Sequence, residues 1–247
     1  MGSPARFYAP DARAEDQEVV LEGDELHHLR HVLRLTPGAE VSLFDGAGSG
    51  FLAELVSVER NEAVVRIRQR EPASTESSLR IHLSIGMAKG EKLDLVIQKA
   101  TELGVTAIHP VATHRADVKA LPERSAAKLE RWRRVALEAC KQSGRTRIPE
   151  VHPPMQLAEF FALDLPGLRV VLSPTGGTIS SLLSDGIRHL SMVISVGPEG
   201  GWDARELEQF RRHGFVACRL GPRILRVETA AIFATGLFQF LSGDLPG

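Results

Sequence analysis

The sequence predicts an α/β protein in which a small antiparallel β-barrel precedes a larger domain built on a parallel sheet. Between residues 41 and 67, short apolar–polar alternations are separated by turns containing Gly or Asn, which is typical of antiparallel strands. From residue 79 onward, apolar runs of strand length alternate with helical periodicity, which indicates a parallel sheet. A polar stretch without periodicity, residues 71–78, separates the two patterns.

These patterns predict a first domain at 1–72, a linker at 73–78 and a second domain at 79–247. The first domain begins its regular structure with a short helix over 24–33, for which Asp24 is a suitable N-cap. Three strands are then predicted at 41–44, 51–58 and 63–67.

The second domain alternates strands and helices. Asp203 and Glu206 form a capping-box pattern at the start of one helix, and the final helix is apolar around much of its circumference, so we expect it to contact a partner subunit as well as its own sheet. The predicted strands are 79–85, 107–111, 168–172, 190–196 and 215–220, and the predicted helices are 92–103, 122–142, one from 203 and 227–241.

The composition excludes several classes of protein. Of 247 residues, 43% are hydrophobic and 25% charged, which is ordinary for a soluble globular protein. Cys140 and Cys218 are isolated, so we expect buried, reduced thiols and neither a disulfide nor a zinc site. No apolar run of membrane-spanning length and no secretory leader pattern is present, which predicts a cytoplasmic protein without a membrane partner.

Charge is distributed unevenly along the chain. Residues 1–72 carry 8 basic and 13 acidic side chains, whereas residues 115–147 carry 10 basic and 4 acidic ones. The second segment forms a basic stripe, which is either the solvated face of a helix or a phosphate-binding surface.

Two glycine-proline elbows are the most informative local features. Residues 197–201 (GPEGG) and 220–226 (LGPRILR) each follow an apolar strand and lead toward a helix. Gly and Pro end the ladder of strand hydrogen bonds and leave bare backbone groups at the carboxyl end of the strand, where ligands bind in open α/β sheets. The elbows predict one crevice that binds an adenosyl cofactor.

Other motifs favour no alternative chemistry. The segment 46–50 (GAGSG) lies between two short strands and lacks the following helix of a dinucleotide fingerprint, so it predicts a hairpin. His27 and His31 have helical spacing, but no carboxylate cluster accompanies them and we expect no metal. Walker A and GxSxG motifs are absent.

Three charged residues near the elbows have two interpretations each. Glu199 and Glu228 are surface or capping residues, or they accept hydrogen bonds from ribose hydroxyls. Arg226 lies in an apolar context where a guanidinium is costly to bury alone, so it either pairs with Glu228 or faces a nucleotide.

Together these motifs resemble the RsmE family of bacterial 16S rRNA (uracil-N3) methyltransferases, in the SPOUT superfamily of S-adenosylmethionine-dependent enzymes. The resemblance covers essentially the whole chain. It is carried by 6–8 (RFY), 28–35 (HLRHVLRL), 99–105 (KATELGV), 142–145 (QSGR), the elbow at 197–201, and 220–230 (LGPRILRVETA).

The resemblance implies a PUA-like barrel, a SPOUT-type α/β domain with a trefoil knot, and a homodimer whose cofactor site lies in the knot. The implied reaction is methylation of the imide nitrogen, position 3, of a uridine in the 16S rRNA of the small ribosomal subunit, with S-adenosyl-L-methionine as cofactor and no metal. Arg226 is expected to orient the base or stabilise charge on it, and Arg145 to bind a phosphate. The proton acceptor is not assigned.

The implied site residues form two sets. The cofactor set is Leu172, Ser173, Val196, Gly197, Pro198, Glu199, Gly200, Leu220, Gly221, Ile224, Leu225, Glu228 and Thr229. The RNA set is Arg6, Arg30, Arg34, Arg115, Arg134, Lys141, Gln142 and Arg145.

Two departures from the family pattern affect RNA-facing positions only. Lys141 stands where relatives often have Glu, and residues 114–116 (HRA) replace a more usual Glu-Arg-Ser. Two alternatives stay open: an RNA-binding module without catalysis, and a SPOUT methyltransferase that acts on tRNA or on another base.

Overall fold

A computed structural model describes residues 4–71, 75–87, 92–113, 125–179, 182 and 190–245. The chain forms two compact units, one of residues 1–76 and 140–148 and the other of residues 77–139 and 149–247. The division at 76/77 lies within the predicted linker. Segment 140–148, which the sequence placed in the second domain, belongs to the first unit because its backbone pairs there: Ile148 N donates to Gly46 O (3.0 Å) and Gly48 N to Thr146 O (3.1 Å).

The first unit contains a five-stranded sheet in the order β1-β3-β4-β5-β2. The predicted antiparallel pairing of the three central strands and the hairpin at 46–50 are confirmed. The expectation of a purely antiparallel sheet is wrong at one edge, because β1 runs parallel to β3. The elements are β1 (Ala5–Tyr8), β2 (Glu18–Leu21), α1 (Gly23–His27) continuing into a π-helical turn (His28–Val32), β3 (Glu40–Phe44), β4 (Gly50–Val58) and β5 (Ala63–Arg70).

Alternating side chains of these strands form the core of the first unit. Phe7, Leu43 and Leu55 are fully buried there, and Leu29 of the π-helical turn packs with them. The apolar positions that predicted the helix over 24–33 thus include a residue that closes the core of this sheet.

The second unit is built on a sheet in the order β12-β10-β11-β6-β7-β8, with β9 also paired to β7. Every pairing is parallel, which confirms the predicted parallel sheet. The start of the predicted basic helix lies outside the described residues. The elements are β6 (Arg80–Gly86), α2 (Lys92–Glu102), β7 (Ala107–Ala112), α3 (Ser125–Ser143), β8 (Glu150–Val151), β9 (Met155–Gln156), α4 (Leu157–Ala162), β10 (Leu168–Thr178), β11 (Ser191–Val196), α5 (Ala204–Arg212), β12 (Val216–Arg219) and α6 (Val227–Ser242).

Strand β10 has an irregularity that shapes the site. Its pairing with β12 shifts register between Leu172 and Gly177, so residues 173–176 leave the ladder. Gly176 then returns against β12, where a Cβ atom would stand 2.5 Å from the backbone nitrogen of Cys218. Only a residue without a side chain fits this close approach of two backbones.

The helices of the second unit follow the sequence signals. The capping box at the start of α5 is present, since Asp203 Oδ1 accepts from Glu206 N and Glu206 Oε2 accepts from Asp203 N, both at 2.8 Å. No helix within the described ranges is both long and apolar enough to cross a membrane.

Candidate active site

A cavity of about 860 Å³ lies at the carboxyl ends of β11 and β12 and beside residues 172–174 of β10, where that strand leaves its ladder with β12. Both elbows border it, which is the convergence that the sequence predicted. The predicted cofactor residues that line it are Leu172, Ser173, Val196, Gly197, Pro198, Glu199, Gly200, Leu220, Gly221, Ile224 and Leu225, and the predicted catalytic residue Arg226 also lines it.

Two predicted cofactor residues do not line this cavity. Glu228 and Thr229 lie in the first turn of α6, just beyond Val227, which does line it. Thr229 is exposed. The Oε2 atom of Glu228 is buried and has no hydrogen-bond partner among the described residues.

Glycines determine the backbone conformation of the elbows. Gly201 has a φ of +64° and Gly221 a φ of +84°, a left-handed conformation that favours glycine. Gly197 is held differently, because a Cβ atom on it would lie 3.3 Å from the backbone of Gly201 and from Cε2 of Trp202. The first elbow is therefore folded tightly on itself where it lines the cavity.

Several lining residues were not predicted from the sequence. Trp202 follows the first elbow directly, is nearly buried, and carries an Nε1 donor without a partner among the described residues. The remaining ones outside the predicted elbows are Lys92, Pro174, Cys218, Arg219, Val227 and Ala230. Gly201, Pro222 and Arg223 also line the cavity and belong to the elbows, but they were not named as cofactor residues. Trp202 could have been predicted as a lining residue, because it directly follows the GPEGG motif. Lys92 and Pro174 could not, because both are distant in sequence from the two elbows.

The charged groups around the cavity are mostly basic. Lys92 Nζ lies 2.6 Å from Glu199 Oε1, in an ion pair with both side chains partly exposed. Arg226 precedes α6 as its N-cap residue and is exposed. Within the described part of the chain, Arg226 does not form an ion pair with Glu228. Of the two interpretations of Arg226, the internal salt bridge is therefore not supported.

Both cysteines are free and buried. Burial raises the pKa of the Cys218 thiol, and it raises the pKa of Cys140 to about 12. Because the thiolate is the nucleophilic form, neither cysteine is suited to covalent catalysis. Over the ranges that the structure describes, no group of three His, Cys, Asp or Glu side chains is placed to hold a metal ion.

Three residues of the predicted RNA set are engaged inside the first unit. The Arg145 side chain is 4% exposed and its Nη2 lies 2.7 Å from Glu76 Oε2. Lys141 pairs with Glu25 and is 10% exposed. Arg6 lies over the ring of Phe44, with its Cζ 5.3 Å from the ring centroid. Such burial does not fit the expected phosphate contacts of Arg145 and Lys141, because both cations already have a carboxylate partner.

Four other members of the RNA set are at the surface. Arg30, Arg34 and Gln142 are exposed in the first unit, and Arg134 is exposed on α3 in the second. Arg115 lies outside the described residues.

Comparison with known proteins defines the class of this fold and site. A family model described as an RNA methyltransferase domain matches residues 75–239, and one described as an RNA methyltransferase PUA domain matches residues 21–68. These matches define a PUA-containing RNA methyltransferase, with the cavity in the methyltransferase domain.

Individual relatives narrow the class. The ribosomal RNA small subunit methyltransferase E of Bacillus subtilis is 32% identical over 92% of this chain and 91% of its own length. A methyltransferase of Legionella pneumophila, solved with bound SAM, is 34% identical with a TM-score of 0.91 over 98% of this chain and 100% of that one. The Neisseria gonorrhoeae ribosomal RNA small subunit methyltransferase E, solved with S-adenosyl methionine, is 38% identical with a TM-score of 0.88 over 98% of this chain and 99% of that one. The chain therefore belongs to the ribosomal RNA small subunit methyltransferase E (RsmE) family.

Proposed function

We propose that this protein transfers a methyl group from S-adenosylmethionine to the imide nitrogen, position 3, of a uridine in the 16S rRNA of the small ribosomal subunit. The observation that carries this proposal is that both glycine-proline elbows line one cavity in a chain of the RsmE family. The proposed reaction takes place in the cytoplasm, where ribosomal subunits are available.

The residues present fit this cofactor. A volume of about 860 Å³ is in the range of small-molecule sites, and the wall combines the glycines of both elbows with apolar residues such as Leu172 and Leu225. The Trp202 Nε1 donor, buried without a described partner, is a polar group that a ligand would satisfy. Two relatives solved with S-adenosylmethionine, 34% and 38% identical to this chain, support the same assignment.

The cofactor supplies an activated methyl group, so the protein has mainly to position the nucleophile and support loss of its proton. Arg226 is suited to this task, because it is exposed and lines the cavity at the start of α6. A planar cation there would stabilise negative charge on the uracil ring or orient the base. Glu199 is held by Lys92 and is suited to accept hydrogen bonds from a ribose.

The trefoil knot and the homodimer are part of the same proposal. Helix α6 presents an exposed apolar face, on which Phe233 and Phe240 are 52% and 58% exposed. These two rings are seven residues apart, with Leu237 between them on the same side of the helix. A second copy of the chain is the partner that the family pattern implies for this face.

Methyl transfer from labelled S-adenosylmethionine to purified small ribosomal subunits, compared with total tRNA, tests the function. Nucleoside mass analysis should show 3-methyluridine in the ribosomal RNA only. Transfer to tRNA, or to another base, would support the alternative of a methyltransferase with a different substrate. RNA binding without any cofactor binding would instead indicate a module without catalysis.

A further inference from the structure

Three arginines border the mouth of the cavity: Arg219, Arg223 and Arg226. All three are exposed. The guanidinium of Arg219 donates to the carbonyl of Gly176 at 3.4 Å, and no ion pair of the three is found within the described residues. Exposed arginines usually have acidic neighbours on a mixed surface, so this cluster is unusual.

The surrounding charges do not balance this cluster. Among the described residues, the charged ones that line the cavity are four cations and one anion, and the anion, Glu199, is paired with Lys92. The three arginines therefore leave a net positive potential at the mouth of the cavity.

This potential does not serve the cofactor. S-adenosylmethionine has a positive sulfonium and a zwitterionic amino acid end, so its net charge is positive and a surplus of guanidinium groups repels it. A polyanion is the ligand that such a surface attracts, and RNA brings its phosphates to the mouth of the cavity when a base enters.

We infer that Arg219 and Arg223 bind phosphates of the RNA strand that flank the target nucleotide, so that the end of β12 and the loop that follows it form an RNA-docking surface. This inference rests on the proposed function. It differs from the expectation that the basic segment 115–147 supplies the phosphate contacts.

The backbone of this loop supports such a role. Arg219 ends β12 and pairs with Thr178 of β10, and Pro222, directly before Arg223, has a fixed φ. Both arginines are therefore carried by backbone with few alternative conformations. Ile224 is 86% exposed and follows Arg223 directly. Its side chain offers an apolar surface to a ribose or base beside the phosphates that the arginines bind.

The test uses Arg219→Gln and Arg223→Gln in the full-length protein. Arg205→Gln is the matched control, because Arg205 is an exposed arginine on α5 that does not line the cavity. The probes are a single-stranded RNA oligonucleotide containing uridine and, separately, purified small ribosomal subunits. Each cavity variant should bind RNA several-fold more weakly, and the slope of log affinity against log salt should fall by about 0.7 per lost contact. Calorimetry should show unchanged affinity for S-adenosylmethionine, and Arg205→Gln should match the wild type.

Two results would overturn the inference while leaving the proposed function intact. In the first, wild-type protein methylates RNA and both cavity variants bind RNA as the wild type does. In the second, the variants lose cofactor affinity and keep RNA affinity, which would assign the arginines to the cofactor. Absence of RNA binding and methylation by the wild type would overturn the proposed function itself, and the inference with it.

Discussion

Gly86, the last residue of β6, lies directly against Pro198 of the first elbow. A Cβ atom on Gly86 would stand 2.5 Å from Cδ and 2.6 Å from N of Pro198. These distances are shorter than real carbon contacts, so only glycine allows the elbow to rest on the end of this strand. The strand end thereby fixes the position of one wall of the cavity.

Replacing Gly86 with alanine should therefore displace the elbow. We expect a loss of about 1–3 kcal/mol in the free energy of unfolding, as for overpacked sites, and a several-fold weaker affinity for S-adenosylmethionine. Urea unfolding followed by tryptophan fluorescence measures the first effect, since both tryptophans of the chain, Trp132 and Trp202, lie in the second unit. Calorimetry measures the second.

Gly236→Ala is the control for this variant. A Cβ atom on Gly236, in the interior of α6, would lie at an ordinary contact distance of 3.8 Å from Leu103. It should leave stability unchanged or raise it by up to about 1 kcal/mol through helix propensity. If Gly86→Ala had the stability and the cofactor affinity of the wild type, the position of the elbow would not depend on the contact between Gly86 and Pro198.

Arg145→Ala should destabilise the first unit rather than weaken RNA binding alone. Glu76 holds the Arg145 guanidinium, and its other oxygen accepts hydrogen bonds from the backbone nitrogens of Thr146 (3.0 Å) and Arg147 (2.9 Å). Removing one member of a buried ion pair typically costs about 3–5 kcal/mol, because the remaining charge loses its counter-ion. Urea unfolding followed by far-ultraviolet circular dichroism should show this loss, whereas Arg147→Ala, at an exposed neighbour, should show much less. Equal stability of the two variants would contradict the structural role of Arg145.

The difference between the elbows and Arg145 shows what the sequence could reveal. Gly and Pro specify backbone conformation locally, so the elbows and their strands were predictable from neighbouring residues. Arg145 lies in a locally basic segment, and its partner Glu76 is 69 residues away in sequence. No local pattern indicates such a pair. Strands β1 and β2 were missed for a related reason, since four residues are too few to show a period.

Buried histidines should make the second unit sensitive to acid. His109 is 1% exposed, its Nε2 lies 3.3 Å from Nδ1 of His82, and its ring stacks on His152 at 4.4 Å. Burial, followed by the neighbouring His152 and His82, lowers the pKa of His109 from 6.5 to about 3. Between these two pKa values, the unfolded chain binds a proton at His109 that the folded protein does not bind. The free energy of unfolding therefore has its full value above pH 6.5 and falls as the pH decreases.

For one such group the loss approaches about 1.4 kcal/mol per pH unit. His109→Gln removes the titrating ring, so the free energy of unfolding of this variant should depend less steeply on pH below 6.5 than that of the wild type. Urea titrations by tryptophan fluorescence at a series of pH values provide the comparison. Parallel curves for the two proteins would show that another group carries the acid sensitivity.

Charged substitutions on the exposed face of α6 should convert the expected dimer into a monomer. Wild-type protein is expected to sediment with a mass near twice 27.0 kDa at micromolar concentration. The double variant Phe233→Glu, Phe240→Glu places two charges on this face and should sediment as a folded monomer, because burying unpaired carboxylates is costly. Leu163→Glu is the control, since Leu163 is a 41% exposed apolar residue outside α6. A wild-type monomer, or a dimer that tolerates both changes, would exclude this face as the interface.

Arg226 should affect the methyl-transfer step more than it affects binding. Arg226 lines the cavity and is exposed, and the first turn of α6 fixes its backbone, because its carbonyl accepts the hydrogen bond of Ala230 N at 2.8 Å. If it stabilises charge on the base in the transition state, Arg226→Ala should lower the single-turnover rate by ~100-fold, as for loss of one preorganised donor, with little change in RNA affinity. Arg226→Lys should restore only part of the rate, because a point charge does not reproduce the planar fork. The measurement is single-turnover methylation at saturating RNA and cofactor with a circular dichroism check of folding, and Arg205→Ala serves as the charge-matched control. A folded Arg226→Ala enzyme with a near-native rate would remove Arg226 from the reaction and assign the stabilising role to another group.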